Sequence, residues 1–240
     1  MIVRDISLPT PQENLLYDDV LLFLAERGRA GECLRFWESK QLFIVLGRIS
    51  KFEEDVNSGV AITDGIPVLR RSSGGGTVLQ GRGCLNYSLV LSRELRPPLS
   101  QLHQSYSFIL GKIVRALETL GVNARHRPAS DLVIADADKK FSGNAQRRGR
   151  KFILHHGTLL YDFDLSLIET YLKIPKKIPD YRRGRSHESF LTNIARLPQS
   201  LKDAISAAFG FQGKENALTD LERACLDDFL KTKNIYPAFK

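Results

Sequence analysis

Three consecutive glycines at residues 74–76 restrict the possible folds of this chain more than any other feature, because a strand pattern follows them. A phosphate-binding loop of the Walker type requires Gly-Lys-Ser/Thr at the start of a helix, whereas Thr77 follows Gly76 here. A dinucleotide-binding fingerprint would place its third glycine where Leu79 stands. The sequence therefore fits neither of these two nucleotide-binding folds.

The surroundings of the glycines leave two interpretations open. The segment is either a mobile hairpin loop or a loop against which a bulky ligand lies, with backbone amides donating to phosphate oxygens. Arg70 and Arg71 end the preceding strand pattern, and alternation sends their side chains to opposite faces. We therefore expect only one of the two arginines in a ligand site.

Apolar periodicity predicts helices set apart from pairs of strands. The predicted helices span approximately residues 11–27, 49–57, 99–120, 164–174, 197–211 and 219–233. Two strands, 32–39 and 42–48, are predicted around a turn at 39–41, and a third strand is predicted at 65–71. Residues 77–80 and 84–92 are predicted to form a hairpin around Gly81–Gly83, and residues 131–163 are predicted to contain three strands. Residues 176–192 are predicted as a basic loop. Regular βαβ units are missing, so we expect an α+β fold with mixed, largely antiparallel sheets packed with helices.

Composition indicates an ordinary globular chain. Of the 240 residues, 42% are hydrophobic and 26% are charged, and no apolar run approaches the roughly 18 residues of a membrane span. The N-terminal segment lacks the apolar region of a secretory signal. Cys33, Cys84 and Cys225 are far apart and odd in number, which argues against a disulfide framework or a zinc site. We expect a cytoplasmic protein without a membrane partner.

The net charge of +8 predicts an anionic partner: a nucleic acid, a nucleotide or an acidic protein. Much of the excess lies in three basic runs at residues 147–151, 173–177 and 181–185, which are alternatively plain solvated loops. Tyr181 alone is too little aromatic interleaving for a single-strand nucleic-acid surface, and no helix-turn-helix or zinc-finger spacing is present. A nucleic-acid partner is therefore not expected.

A second motif, "KKFSGNAQRRGRKFILHHGTLL", begins at Lys139. Lys140 stands beside a predicted small-residue turn and could hold its charge against an acyl carboxylate and a phosphate, although an exposed hairpin lysine is the alternative. The strand that follows carries His155, His156 and Thr158. Suitably spaced Cys or carboxylate ligands are missing, so we expect no metal and at least one core histidine.

"RRSSGGGTVLQ", "KKFSGNAQRR" and "HHGTLL", in this order and separation, resemble the lipoate–protein ligase family, whose superfamily also contains octanoyltransferases and biotin ligases. Further similar pieces are "LRFWE" and "VLGR" within residues 34–48, Asp131-Leu132, and "SFLTNI" at 189–194. The resemblance covers approximately residues 10–195. It implies a catalytic domain at residues 1–195 of the biotin/lipoate ligase catalytic-domain type. Residues 196–240 would be a short helical extension of the same domain.

The resemblance implies ATP-dependent attachment of lipoate to an acceptor lysine through lipoyl-AMP, with ATP, Mg²⁺ and lipoate. Arg71 would contact the nucleotide phosphate, and Lys140, the catalytic residue, would bridge the acyl carbonyl and the phosphate. The residues assigned to binding of ATP and the lipoyl adenylate are Arg71, Ser73, Gly74, Gly75, Gly76, Thr77, Val78, Leu79, Asn86, Asp131, Lys140, Ser142, Gly143, His156 and Thr158.

The sequence differs from the motifs of two related enzyme classes, the octanoyltransferases and the biotin ligases. Octanoyltransferases related to this family use a cysteine a few residues upstream of the lysine motif, but residues 126–140 contain none, and Cys84 is expected to pack in the core. An octanoyl or lipoyl transferase acting from an acyl-carrier or lipoylated donor protein stays the alternative. A biotin ligase is less favoured because its Gly-Arg-Gly-Arg run is missing, and a basic nucleic-acid-binding module is the non-enzymatic alternative.

The resemblance also implies protein partners. The acceptor would be an acidic lipoyl domain, either of a 2-oxoacid dehydrogenase E2 component or of a glycine-cleavage H-type protein. Larger bacterial ligases carry an additional C-terminal domain, whereas about 45 residues follow "SFLTNI" here, so a separate accessory-domain protein is a further candidate partner. The basic residues expected to dock the acceptor are Lys173, Lys176, Lys177, Arg182, Arg183 and Arg185.

Overall fold

The structure, a computed structural model, describes residues 2–176 and 178–235. Its helices are α1 Pro11–Glu26, α2 Phe52–Asp55, α3 Ser58–Thr63, α4 Leu102–Glu118, α5 Ser166–Tyr171, α6 His187–Phe190, α7 Pro198–Phe209 and α8 Asp220–Thr232. Its strands are β1 Ile2–Asp5, β2 Cys33–Trp37, β3 Phe43–Leu46, β4 Val68–Arg70, β5 Val78–Gln80, β6 Cys84–Ser92, β7 Ala124–Arg127, β8 Asp131–Ile134, β9 Lys139–Arg148, β10 Phe152–Leu160 and β11 Gly213–Glu215. Short 3₁₀ turns lie at Pro97–Ser100 and Asp180–Arg182.

A large mixed sheet forms the centre of the molecule, with strand order β11-β1-β2-β6-β10-β9-β8-β7. The pairings of β1 with β11 and with β2 are parallel, and the remaining pairings in this sheet are antiparallel. All nine residues of β6 are buried, because helices cover both faces of the sheet. The predicted fold class, α+β with mixed and largely antiparallel sheets, is confirmed.

Helices cover the two faces of the large sheet in pairs. Helices α4 and α7 pack on one face, where Leu89 and Leu91 of β6 point. Helices α1 and α8 pack on the other face, where Val90 points. The alternation of the β6 side chains between these two apolar layers is what a strand buried on both sides requires.

Helix α1 begins with signals that are readable in the sequence. Thr10 caps the helix, Pro11 occupies its first turn, and Glu13 completes a capping box with Thr10. The predicted start near residue 11 is confirmed, and α1 carries Asp18 into the protein interior, where the functional site lies.

A smaller sheet has strand order β4-β3-β5, with β3 parallel to β4 and antiparallel to β5. Side chains from this sheet form a third apolar cluster with α5 and α6. The predicted strands β2 and β3 and the turn between them are confirmed, but the two strands belong to different sheets. Residues 71–77, which contain the three glycines, connect β4 to β5.

The predicted hairpin of β5 and β6 is wrong. Strand β5 pairs with β3, and β6 pairs with β2 and β10, so the glycines at 81–83 carry the chain from one sheet to the other. The physical reason is length, because nine residues of β6 pair with β10, whereas β5 offers three. Strands β1, β7 and β11 and helix α3 were not predicted.

Two further local predictions need correction. Ser142, Gly143 and Asn144 do not form a turn beside Lys140 but lie within β9, whose pairing with β8 shifts register between Leu132 and Val133. The predicted basic loop at 176–192 contains the 3₁₀ turn Asp180–Arg182 and helix α6. None of the helices in the described part of the chain combines the length and apolarity that a bilayer span requires.

Candidate functional site

A cavity of about 310 Å³ opens where elements of both sheets meet α1 and the segment before α6. Strands β5, β6, β9 and β10 and the glycine loop at 71–77 supply much of its wall. The predicted site residues on this wall are Arg71, Gly75, Gly76, Thr77, Val78, Leu79, Asn86, Asp131, Lys140, Ser142, Gly143, His156 and Thr158. Ser73 and Gly74 do not line the cavity, and the Ser73 side chain lies behind the wall, in contact with His156.

Lys140 reaches the cavity from β9. Its Nζ lies 2.8 Å from Asp131 Oδ1 on the adjacent strand β8, and Asp131 Oδ2 accepts a hydrogen bond of 2.6 Å from the hydroxyl of Tyr181. A Cβ on Gly143 would lie 3.2 Å from Lys140 Nζ, so the glycine leaves room for the lysine side chain. Lys140 is therefore positioned by a carboxylate and remains partly open to solvent, with 26% of its side chain exposed.

The two arginines before the glycines separate as alternation predicts. Arg70 turns away from the cavity and donates to the carbonyls of Gly47 and Ser50. Arg71 lines the cavity, and its guanidinium donates to the carbonyls of Gly74 and Gly76, each at 2.7 Å. Burial lowers the pKa of Arg71 to about 10, which leaves the guanidinium charged at neutral pH.

Gly75 has a backbone conformation that explains the choice of glycine. Its φ is +86°, and a Cβ there would lie 2.9 Å from Arg71 Nη2. A side chain would therefore be strained and would also push on the arginine that holds the loop. The glycine loop is tied to Arg71, in contrast to the mobile hairpin loop that the sequence left open.

A chain of polar side chains runs from the cavity into the interior. Ser73 Oγ lies 2.6 Å from His156 Nε2, and His156 Nδ1 lies 3.7 Å from Asp18 Oδ2. The other carboxylate oxygen of Asp18 accepts a 2.6 Å bond from Arg35, which is completely buried. Burial opposes ionisation of Asp18, but Arg35, His156 and Ser88 together outweigh it, and the pKa of the carboxyl is below its ordinary range.

A second polar group forms a closed ring on the cavity wall. Gln80 Nε2 donates to Thr158 Oγ1 at 2.7 Å, Thr158 Oγ1 donates to Asn86 Oδ1 at 2.7 Å, and Asn86 Nδ2 donates to Gln80 Oε1 at 3.0 Å. The three side chains come from β5, β6 and β10. Their mutual hydrogen bonds fix the orientation of each amide in a largely buried position.

The two adjacent histidines of β10 have different environments. His155 is fully buried, and burial lowers its pKa to about 3. Its Nδ1 accepts from Gln146, and its ring lies beside those of Tyr87 and Tyr106. The expectation of at least one core histidine is confirmed by His155. His156 points to the opposite face, into the cavity.

The cysteines lie away from the cavity. Cys84 is fully buried in the apolar cluster below the small sheet, and burial raises the pKa of its thiol. Burial also raises the pKa of Cys33, to about 12. Neither thiol lines the cavity, and a neutral buried thiol is a poor nucleophile. The expectation that Cys84 packs in the core is confirmed.

The basic residues assigned to docking are not a uniform exposed surface. Arg182 is buried, with 3% exposed, and lines the cavity, so its assignment to a docking surface is wrong. Lys173 donates to the carbonyl of Glu53, Lys176 lies 3.2 Å from Glu54, and Arg185 donates to backbone carbonyls. Arg183 is exposed. Lys177 lies outside the described residues.

Several residues at this site were not assigned to it from the sequence. They are Asp18, Arg35, Gln80, Tyr181, Arg182 and His187. Asp18 carried a signal, because two acidic residues interrupt the apolar run "LLYDDVLLFL" in a predicted helix. Arg182 carried none, since neighbouring arginines in the same run are chemically identical.

The chain is similar to lipoate-metabolising enzymes. Residues 10–210 match the sequence model of the lipoyl protein ligase A/B catalytic domain. Lipoate–protein ligase 1 of Staphylococcus aureus is 30% identical over 163 residues, which cover 68% of this chain and 46% of that protein. Octanoyltransferase LipM of Brevibacillus brevis is 25% identical in an alignment 257 positions long, which covers 93% of this chain and 92% of that protein. The chain spans about half the length of the curated ligases that it matches.

Solved structures share the fold. Lipoate-protein ligase A bound with ATP has a TM-score of 0.78 at 20% identity, covering 97% of this chain and 94% of that chain. A bi-partite lipoate protein ligase from Thermoplasma acidophilum, described with its E2 lipoyl domain, has a TM-score of 0.75 at 23% identity, covering 97% and 93%. The expected resemblance in fold to lipoate ligases is confirmed.

Proposed function

The chain belongs to the lipoyl protein ligase A/B catalytic-domain family, and we propose that it joins lipoate to a lysine of an acceptor lipoyl domain at the expense of ATP. The observation that carries this proposal is the pair of cations on one cavity wall, Lys140 and Arg71, beside the exposed backbone of Gly75 and Gly76. Both steps of an adenylation and transfer reaction place negative charge where such cations stabilise it.

In the proposed first step, a carboxylate oxygen of lipoate attacks the α-phosphorus of ATP, giving lipoyl-AMP and pyrophosphate. In the second step, the ε-amine of the acceptor lysine attacks the acyl carbon, and AMP leaves with the electron pair of the broken bond. Lys140 and Arg71 stabilise charge on phosphate and acyl oxygens in both steps. Because adenylation supplies the leaving group, no protein nucleophile is required.

The remaining predicted residues would shape the ligand site. Thr77, Val78 and Leu79 line the nucleotide, and Asp131 holds Lys140 in position. Ser73 and Gly74 would act through the loop, since neither lines the cavity. Within the described residues no three His, Cys, Asp or Glu side chains are grouped to hold a metal ion, so we assign Mg²⁺ to the nucleotide substrate.

The acceptor in this proposal is an acidic lipoyl domain of an E2 component or an H-type protein. The similarity to the Thermoplasma ligase, whose structure is described together with its E2 lipoyl domain, supports a lipoyl domain as acceptor. That ligase is bi-partite, which supports a separate accessory protein as a second partner. We place the reaction in the cytoplasm, without a nucleic-acid or membrane partner.

We also propose that residues 1–195 form the catalytic domain and that 196–240 extend the same domain. Two packing relationships support this division: β11 pairs with β1 at the edge of the large sheet, and α8 packs on α1. The last five residues, 236–240, lie outside the described part of the chain.

Mass spectrometry of an apo lipoyl domain tests the proposal. After incubation with the protein, lipoate, ATP and Mg²⁺, we expect the acceptor to gain the mass of one lipoyl group, and to gain nothing when ATP is omitted. The accessory protein, where one is identified, is included in a parallel reaction. No mass gain in either reaction would contradict the proposal.

The match to octanoyltransferase LipM across 92% of that protein favours a second candidate, acyl transfer from an octanoyl or lipoyl donor protein without ATP. Such a transferase needs a reactive thiol, and the described cavity wall contains no cysteine. ATP-independent transfer from octanoyl-carrier protein that is abolished in a Cys84→Ala variant would establish this second candidate. Absence of transfer from octanoyl-carrier protein by the wild-type protein would reject it.

A further inference from the structure

Arg182 is a buried cation without an acidic partner. Only 3% of the residue is exposed, and it lines the cavity. Within the described residues no carboxylate oxygen lies within 4 Å of its guanidinium, and its Nη2 has no hydrogen-bond partner. Buried charged donors are rarely left unpaired in native proteins. The unpaired nitrogen therefore indicates a ligand.

The guanidinium is held in place by groups that leave its charge uncompensated. Its Nε donates to the carbonyl of Arg185 at 2.8 Å, and its central carbon lies 4.8 Å from the ring centre of Phe190. Arg185 is fixed in turn, because its Nη2 donates to the carbonyls of Tyr181 and Asp138. Arg182 is thus pre-oriented by backbone and aromatic contacts, as a binding group requires.

The other charges of the cavity do not neutralise Arg182. Asp18 is paired with Arg35, Asp131 is paired with Lys140, and Asp55 accepts a hydrogen bond from Thr77. Arg71 also forms no ion pair within the part of the chain that the structure describes. The cavity therefore presents two arginines without a carboxylate partner, the partly buried Arg71 and the buried Arg182, whose combined charge exceeds that of a single carboxylate.

We propose that Arg182, which lines the same cavity as the glycine loop, binds a phosphate group of the nucleotide. This inference rests on the proposed function and adds a residue to its site. The phosphates of the nucleotide fit better than the carboxylate of lipoate, because the triphosphate as a whole brings more than one negative charge to two arginines without a carboxylate partner. A guanidinium also offers two parallel donors that match phosphate oxygens.

The variant Arg182→Met distinguishes a ligand-binding role of Arg182 from a structural role. Removal of a buried unpaired charge should leave the ligand-free protein as stable as wild type or more stable, whereas removal of a structural arginine would lower its melting temperature. Binding of ATP and of inorganic pyrophosphate, measured by calorimetry, should weaken about tenfold or more, as expected for a lost charge-assisted interaction. Binding of lipoate should not change.

A charge-preserving variant and a matched control complete the test. Arg182→Lys keeps the charge but loses the paired donors, so its affinity for ATP should fall between those of wild type and Arg182→Met. Arg183→Met is the matched control, because Arg183 is the adjacent residue and is exposed. The control should bind ATP, pyrophosphate and lipoate with wild-type affinity.

Three outcomes would overturn the proposal: unchanged ATP and pyrophosphate affinity in Arg182→Met, weakened lipoate binding with unchanged ATP binding, or a lowered ligand-free melting temperature that accounts for the loss. The lipoylation assay of the wild-type protein is run in parallel. If the wild type binds ATP through Arg182 but lipoylates nothing, the proposed function fails and the Arg182 inference stands. If the wild type lipoylates and Arg182→Met binds ATP normally, only the Arg182 inference fails.

Discussion

Lys140 Nζ and Asp131 Oδ1 lie 2.8 Å apart across the β8–β9 pair, on the wall of the cavity. Asp131 is buried, whereas 26% of the Lys140 side chain is exposed, so the cation is the member of the pair that can reach a ligand phosphate. This geometry is the basis of the first prediction.

Lys140→Ala should abolish adenylation and transfer, because the cation proposed to stabilise both steps is lost. The free energy of unfolding should change by about 1 kcal/mol, since 26% of the lysine side chain is exposed and Asp131 keeps its hydrogen bond from Tyr181. Lys139→Ala is the control, as Lys139 does not line the cavity, and it should retain activity. Equal activity of Lys140→Ala and wild type in the acceptor assay would remove Lys140 from the mechanism.

Gly75→Val should weaken binding of a lipoyl-adenylate analogue. The residue has a φ of +86°, and its Cβ would lie 2.9 Å from Arg71 Nη2, so the variant strains the loop and displaces the arginine. Gly31→Val is the control, because a Cβ there meets no atom within 4 Å and Gly31 does not line the cavity. Calorimetry should show reduced affinity in the first variant alone, and equal affinities would favour a loop without a ligand role.

Asp18→Asn should destabilise the protein by about 3–5 kcal/mol, because it leaves the fully buried Arg35 without its counter-ion. The neighbouring acid gives the control. Asp19 is also buried, but its partner Arg147 is 41% exposed, so Asp19→Asn leaves a cation that water can solvate and should cost about 1 kcal/mol. Urea denaturation gives the free energy of unfolding of both variants. Similar losses would show that the buried Asp18–Arg35 pair contributes no more to stability than the Asp19–Arg147 pair.

His155 should make the protein sensitive to acid. Burial, followed by the charges of His156 and His126, lowers its pKa to about 3, against 6.5 for an unperturbed histidine. Between these values the unfolded chain binds a proton that the folded chain does not. The contribution of His155 to the free energy of unfolding is therefore fully present above pH 6.5. It decreases as the pH falls towards 3, by at most about 1.4 kcal/mol per pH unit.

His155→Asn should flatten this dependence, because asparagine does not titrate and can still accept the hydrogen bond from Gln146. The control is His103→Asn, at an exposed position at the start of α4. Unfolding free energies at several pH values between about 4 and 7 provide the comparison. A slope in His155→Asn that equals that of wild type would show that His155 is not the responsible group.

The sequence predicted well those elements whose signals are local. The cap at Thr10 and the apolar periodicity identified α1, and similar patterns identified α4, α7 and α8. It failed where the pairing partner is distant in the chain: the short link at residues 81–83 indicated a hairpin, but β6 gains more buried pairing from β10, which follows much later in the chain.

The same distinction applies to the site. The resemblance to the ligase family predicted that Arg71, Lys140 and His156 share a site, and all three line the cavity. Strand alternation by itself predicted only that one of Arg70 and Arg71 would enter it. Arg182 was misassigned to a docking surface because charge alone does not distinguish it from Arg183. What separates these two arginines is burial against Phe190, which depends on how the segment returns to β9.

Equilibrium binding of a non-hydrolysable lipoyl-adenylate analogue, measured by calorimetry, tests most directly the claim that the cavity is an acyl-adenylate site. We predict that the wild-type protein binds one analogue per chain, that ATP and lipoate each compete with it, and that Lys140→Ala weakens it while Lys139→Ala does not. Absence of binding, or binding that neither ATP nor lipoate displaces and Lys140→Ala leaves unchanged, would contradict the claim.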